Sequence, residues 1–340
     1  MKKKVFNLVF ISLSAIILLI VIISTQGFDG LMHQLANIRY PWIAGALICM
    51  LLYWGLEAVV LHIITTFLHE KQKTSDSFKI TMIGQFFNSI TPFATGGQPA
   101  QLYAMIRDGV EAGHAGSILM IKFIVFQTIL TIYSLIIILL KAAYLISYNT
   151  TLFYWVIIGF LVHTTVFLLL VFFSYSKSVH KKLLVTFIKL LKRFRIIKDA
   201  EKMENKFKEE LANFHAHTKI LRNNIGLLVK TSVLTILQFT CFFLIPYFVF
   251  RAFGMDDASL WNLIAVGVFV STAISAIPLP GGTIGAEGGF VLYFRMFFDN
   301  ASLVPAMLIW RIITYYSCIG IGGLFTVLGP HRTLKRKRVT

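Results

Sequence analysis

Six apolar runs, at residues 5–24, 42–67, 118–140, 152–173, 226–250 and 304–328, leave this chain few ways to fold. Each is long enough to cross the roughly 30 Å hydrocarbon core as a helix, which takes about 20 residues. Inside lipid, every backbone N–H and C=O must find its partner within the segment or within a closed barrel. Continuous apolar runs of this length point to helices. Composition agrees: 57% of the 340 residues are hydrophobic and 14% charged, against about 25% charged in a soluble domain. The length admits six to eight membrane segments and leaves no room for a large soluble catalytic domain besides. Cys49, Cys241 and Cys318 all fall in apolar runs with no CxxC pair, so neither a disulfide framework nor a zinc site is expected.

Charge gives the topology. Lys2, Lys3 and Lys4 precede the first run, which exceeds a signal-peptide core and has no A-x-A site, so it reads as an uncleaved helix. Lys and Arg number three in residues 68–79, thirteen in 174–225 and five in 331–340, but one each in 25–41, 141–151 and 251–259. The positive-inside rule places the first group in the cytoplasm and the second outside. Two interrupted regions, 80–106 and 260–298, must then each enter and leave on one side. Ordinary kinked spans would instead make 141–151 cytoplasmic, although it carries only Lys141. The expected fold is an all-α integral membrane protein, a polytopic helical bundle. It has six spanning helices plus two re-entrant broken hairpins, eight membrane segments in all, with inverted-repeat character.

The whole of 1–340 reads as one membrane domain. Residues 5–173 form the first half with re-entrant 80–106, and 226–330 the second half with re-entrant 260–298. Between them lies a basic cytoplasmic loop, 174–225, and 331–340 is a basic cytoplasmic tail. In that loop Val179, Leu183, Phe187, Leu190, Leu191 and Phe194 recur at helical spacing among lysines. Such a helix suits an anionic leaflet, and equally a loop that merely follows the positive-inside rule. His215 and His217 lack further nearby ligands, so no metal and no cofactor is expected. The net charge of +17 suits anionic lipid and calls for no nucleic acid.

The interruptions carry the chemistry. In "NSITPFATGGQPAQLYAM" (88–105), Pro92 ends a helix, Gly96 and Gly97 permit a tight turn, and Pro99 suits the first turn of the next helix. In "PLPGGTIGAEGGF" (278–290), Pro278 and Pro280 stop a helix, and Gly281, Gly282 and Gly285 lead into another through Glu287. Each break brings a helix N-terminus to membrane depth, where N–H groups and the dipole favour an anion such as phosphate. Glu57, Lys122, Glu287, Arg295 and Arg311 are the ionisable residues in or near apolar runs. Lys122 sits near the start of its run and is expected to snorkel; Glu57 is mid-segment, and Arg295 lies toward the outer interface. Glu287 and Arg311 are the stronger candidates, either as a structural pair or as handlers of a cationic group and a lipid phosphate. No HExxH, GxSxG, P-loop or DxD pattern is present.

These two motifs, with the arginine of "LIWRIITYY" (308–316), resemble the transmembrane region of lysylphosphatidylglycerol synthase, the multiple peptide resistance factor, over roughly residues 5–330. That module also forms a stand-alone flippase-like family. The resemblance carries over Asn88, Pro92, Gly97, Gln98, Pro99 and Gln101, then Pro280, Gly281, Gly282, Gly285 and Glu287, and finally Arg311. With Gly96 these make the candidate substrate-binding set. Many relatives have an acidic residue and an arginine where Gln98 and Gln101 stand, a departure that bears on the head group accepted.

The resemblance implies a plasma-membrane, multi-pass flippase with both termini cytoplasmic. Its cargo would be an anionic or aminoacylated phospholipid such as lysyl-phosphatidylglycerol, contributing to envelope charge and cationic peptide resistance. A polyprenyl-phosphate lipid is an alternative cargo. Implied partners are the lipid, a separate lipid synthase or a second copy. The family label also suggests phosphatidylglycerol lysyltransferase activity from lysyl-tRNA. In the full-length synthase that reaction belongs to a separate cytosolic domain, which is not expected here, so the chain reads as a non-enzyme. A third reading is a non-transporting partner that recruits an envelope enzyme.

Overall fold

A computed structural model describes residues 33–68, 72–175, 223–275 and 285–328. The first apolar run, the basic loop from 176 to 222, Gly281 and Gly282, and the tail lie outside the described residues. The elements are α1 Tyr40–Phe67, α2 Thr74–Ile90, α3 Gly97–Arg107, α4 Ala112–Tyr148 and α5 Thr150–Tyr175. They continue with α6 Ile225–Ala252, α7 Leu260–Ile274 and α8 Gly285–Phe294. The last helix, Leu303–Leu328, comprises α9 Leu303–Arg311, a π-helical turn Ile312–Tyr316, and α10 Ser317–Leu328. Described residues are helical with no strand, and five helices are long and apolar enough to cross a membrane.

Local sequence explains where the helices begin. Pro41 occupies the first turn of α1, where its missing N–H costs nothing. Asn149 accepts from Leu152 N at the start of α5, Asn224 from Leu227 N, and Ser259 from Asn262 N. Helix α1 packs antiparallel along α6. Arg39 N donates to Ala252 O at 2.8 Å, Trp42 meets Tyr247 and Phe248, and the Tyr53 ring lies tilted against Phe242 at 5.2 Å. The outer faces of α4 and α5 remain apolar, with Leu139 and Leu140 about 70% exposed. In water such surface would be a liability; in lipid it matches the solvent.

The two interrupted regions open onto opposite faces of the bundle. The end of α1, the start of α2, the end of α3 and the start of α4 share one face, since their connections are short. Phe78 of α2 contacts Phe325 of α10, and Tyr315, midway along the last helix, donates to Ser89 O. The α2–α3 tip therefore lies beside the middle of the last helix. On the opposite face, Lys141 near the end of α4 donates to Asn262 at the start of α7 (2.9 Å). At the other end of α7, Ser275 Oγ donates to Gly159 O, about 14 Å along α5. Then α8 returns, with Tyr293 donating to Leu152 O at 2.7 Å. Helices of 17, 11, 15 and 10 residues are each below the length of about 20 needed to span.

Close helix contact is set by small residues. At Gly322 an added Cβ would lie 2.6 Å from Met82 O on α2, and at Gly159 it would overlap the Thr272 backbone. Glycine is what allows these backbones to approach.

Candidate functional site

The first hairpin tip folds back on its own helix. Thr91 Oγ1 accepts from Gly96 N at 2.8 Å and donates to Phe87 O, while Asn88 Oδ1 accepts from Gly97 N at 2.9 Å. A side chain at Gly97 would overlap the Asn88 amide. The first two N–H groups of the α3 terminus, expected to be free for an anion, are thus already bonded within the tip. Phe93 and Ala94 hold φ of 54° and 53°, a left-handed conformation that is costly for two successive non-glycine residues. Pro92 and Pro99 are exposed at this tip and Gln98 is half-buried.

Gln101, one turn into α3, belongs to a different cluster. It is buried, packs against Gly84 of α2, and its Oε1 accepts from Lys122 Nζ at 3.3 Å. Lys122 also donates to Glu57 Oε1 at 2.6 Å, and Gln85 Nε2 donates to Glu57 Oε2 at 2.5 Å. Four helices, α1 to α4, each supply one member. Glu57 and Lys122 are both 7% exposed, so Lys122 does not snorkel. Its helix starts at Ala112, well before the apolar run does, and that carries the amine about 15 Å from the helix end. Around this pair Tyr53 faces Glu57, Gln85 and Gln238, and Cys318 Sγ lies 3.9 Å from Gln85 Oε1.

The second cluster joins α8 to the last helix. Arg311 Nε donates to Glu287 Oε1 at 2.7 Å, with Arg311 4% and Glu287 17% exposed along the side chain. The guanidinium lies over the Tyr315 ring at 4.6 Å and the Trp310 ring at 5.5 Å, contacts that favour a weakly hydrated cation. Glu287 Oε2 is buried and has no hydrogen-bond partner among the described residues. The π-helical turn follows Arg311 directly, and such wide turns recur where a helix is shaped for function. Gly285 opens α8 two residues before Glu287. Arg295 is exposed.

Of the candidate residues, the structure joins Glu287 with Arg311, Asn88 with Gly97, and Gln101 with the Glu57–Lys122 pair. Sequence reasoning missed Gln85 and the pairing of Glu57 with Lys122. One partial signal was available: opposite charges in two different apolar runs, although Glu57 lies ten residues from the end of its run and Lys122 only four from the start of its own.

These features define a polytopic helical membrane protein in which, among the described residues, two ion pairs are buried. The chain belongs to the family described as the lysylphosphatidylglycerol synthase TM region, which it matches over residues 7–322. It is also similar to a UPF0104 membrane protein of Archaeoglobus fulgidus, 26% identical over 280 residues, covering 80% of this chain and 81% of that protein.

Proposed function

We propose that the protein moves phospholipid head groups between leaflets, acting on an anionic or aminoacylated phospholipid in the plasma membrane with both termini cytoplasmic. In this reading the two hairpins are re-entrant, the missing sixth span is the 5–24 run, and the halves form an inverted repeat. The observation that carries it is the Arg311–Glu287 pair. A buried ion pair is weak support for stability, because desolvation offsets much of the attraction, and ionisable groups at membrane depth mark transport paths. Arg311 offers a planar fork to a phosphate, while the spare Glu287 oxygen offers an acceptor to an ammonium. The family membership supports a role connected with membrane lipid.

Reconstitution tests the reading. Purified protein in liposomes carrying labelled lipids should accelerate the exposure of at least one phospholipid in the opposite leaflet, and Arg311→Lys should slow it while the protein remains folded. No acceleration for any lipid of a charged-head-group panel would refute translocation.

A further inference from the structure

We infer that His163, inside the apolar span of α5, is a proton-binding site. Gln127 and two threonines around it serve the neutral and the charged ring in turn. The inference stands apart from the translocator reading and from any lipid cargo.

His163 lies about 13 residues into α5, ~20 Å from its start, within the 150–169 segment that is long and apolar enough to cross a membrane. It shares the inward stripe of that helix with the buried Val156, Gly159 and Phe167. An ionisable side chain at such depth is functional by default. Its ring meets Gln127 of α4, with the two Nε2 atoms 3.1 Å apart. An amide nitrogen only donates, so the ring Nε2 accepts. The ring is then the neutral tautomer, with its one proton on Nδ1.

Two hydroxyls beside this bond stand apart from the rest. Thr131 sits one turn beyond Gln127 on the same face of α4, and Thr164 follows His163. Each Oγ1 is buried and has no hydrogen-bond partner among the described residues. Elsewhere in the bundle a helical threonine donates to the carbonyl four residues back, as Thr65, Thr235, Thr272 and Thr326 do. Buried hydroxyls seldom stay without a partner.

Protonation supplies a use for them. A proton taken on Nε2 makes that nitrogen a donor facing a donor. The Gln127 amide must then turn over, so that its Oε1 accepts from the ring. Its NH2 group now needs an acceptor, and the Thr131 and Thr164 oxygens are the unused ones at hand. A bare imidazolium at this depth would be costly; one ringed by oxygens is less so.

No charged side chain faces the ring among the described residues. Helix α5 packs on α4 and α7. On α4, Lys122 bonds Glu57, Tyr133 lies on Phe243 of α6, and His114 pairs with Glu111 at the helix start. Toward the outer end, Lys141 bonds Asn262 and lies over Tyr144. Helix α7 carries no titratable group. Tyr293 of α8 reaches α5 at Leu152, well short of His163, and Tyr154 is exposed. The site does touch the second hairpin. Gly159, one turn before His163, meets Thr272 so closely that a Cβ would overlap the α7 backbone, and its carbonyl accepts from Ser275. A ring that gains charge on this stripe therefore bears on the arm of that hairpin.

NMR of full-length protein carrying 15N-histidine, in lipid nanodiscs, tests the site between about pH 5 and 8. The His163→Gln variant identifies the ring signal among the nine histidines. The His163 Nε2 should pass from an unprotonated to a protonated nitrogen within that range. Thr131→Val combined with Thr164→Val keeps the Gln127 bond, and should weaken proton binding about tenfold, or one pH unit, without loss of thermal stability. Should His163→Gln not fold, the ring signal displaced in the threonine variant identifies His163 instead. An Nε2 that stays unprotonated throughout the range, or a midpoint unmoved by the two valines, would overturn the inference. Neither result bears on translocation, which the liposome assay reads separately.

Discussion

In the first half of the molecule the ion pair is enclosed by amides: Gln85 takes one carboxylate oxygen of Glu57, Lys122 the other, and Gln101 a further donor of Lys122. In the second half the pair is enclosed by rings, with Arg311 over Tyr315 and Trp310, while Glu287 keeps one oxygen unbonded and is more exposed. Amides saturate both charges and tie four helices together. Aromatic faces support the cation alone and leave the carboxylate open to another donor. The first pair is therefore the stronger structural tie, and the second is the more readily exchanged. Tyr315 connects them, since its ring meets Arg311 and its hydroxyl bonds Ser89, one turn beyond Gln85 on α2.

Breaking one member of each pair should separate these roles. Lys122→Met leaves Glu57 buried and uncompensated and should cost about 3–5 kcal/mol, read from the denaturant midpoint of protein in detergent. Adding Glu57→Gln should recover most of it. Glu287→Gln should cost less, about 1–3 kcal/mol, because the Arg311 guanidinium keeps its two rings. Equal losses from the two single changes would erase the distinction between the halves.

Smaller effects sharpen the picture of how the last helix meets the first hairpin. Gly322→Ala should destabilise by about 1–3 kcal/mol, since its Cβ would press on Met82 O. Gly320→Ala, two residues away with open space around it, should stabilise by up to about 1 kcal/mol through helix propensity. Thermal unfolding of both variants reads the difference in sign. Smallest is Asn88→Ala, which frees Gly97 N and should cost about 1 kcal/mol.

Much of this architecture was legible in the sequence. Five of the six long apolar runs became helices, and the first Pro-Gly-Gly interruption became a helix break, because proline and paired glycines defeat a helix wherever it sits. The 5–24 run and the second Pro-Gly-Gly stretch lie outside the described residues. Glu287 and Arg311 were readable as charges that lipid would not tolerate unpaired. The Glu57–Lys122 pair was not, for a physical reason. An apolar run marks where residues are greasy, not where the helix starts, and α4 begins at Ala112, ahead of the run's first residue at 118. That extension carries Lys122 inward, 65 positions in sequence from its partner. Likewise the turn at 91–97 predicts a bared helix terminus, but Thr91 and Asn88 bend back to cap it, a choice of rotamer that spacing does not encode. Paired glycines permitted the turn without revealing its partners.

Arg311 and Glu287 either handle a head group or merely close the bundle. Replacing both by leucine removes the pair without leaving a buried charge, so a structural tie would be dispensable. In liposomes, the Arg311→Leu, Glu287→Leu protein should unfold within about 1 kcal/mol of the unaltered chain, yet expose no more labelled phospholipid in the opposite leaflet than empty vesicles do. Lipid transfer at the unaltered rate by that double variant would contradict the account.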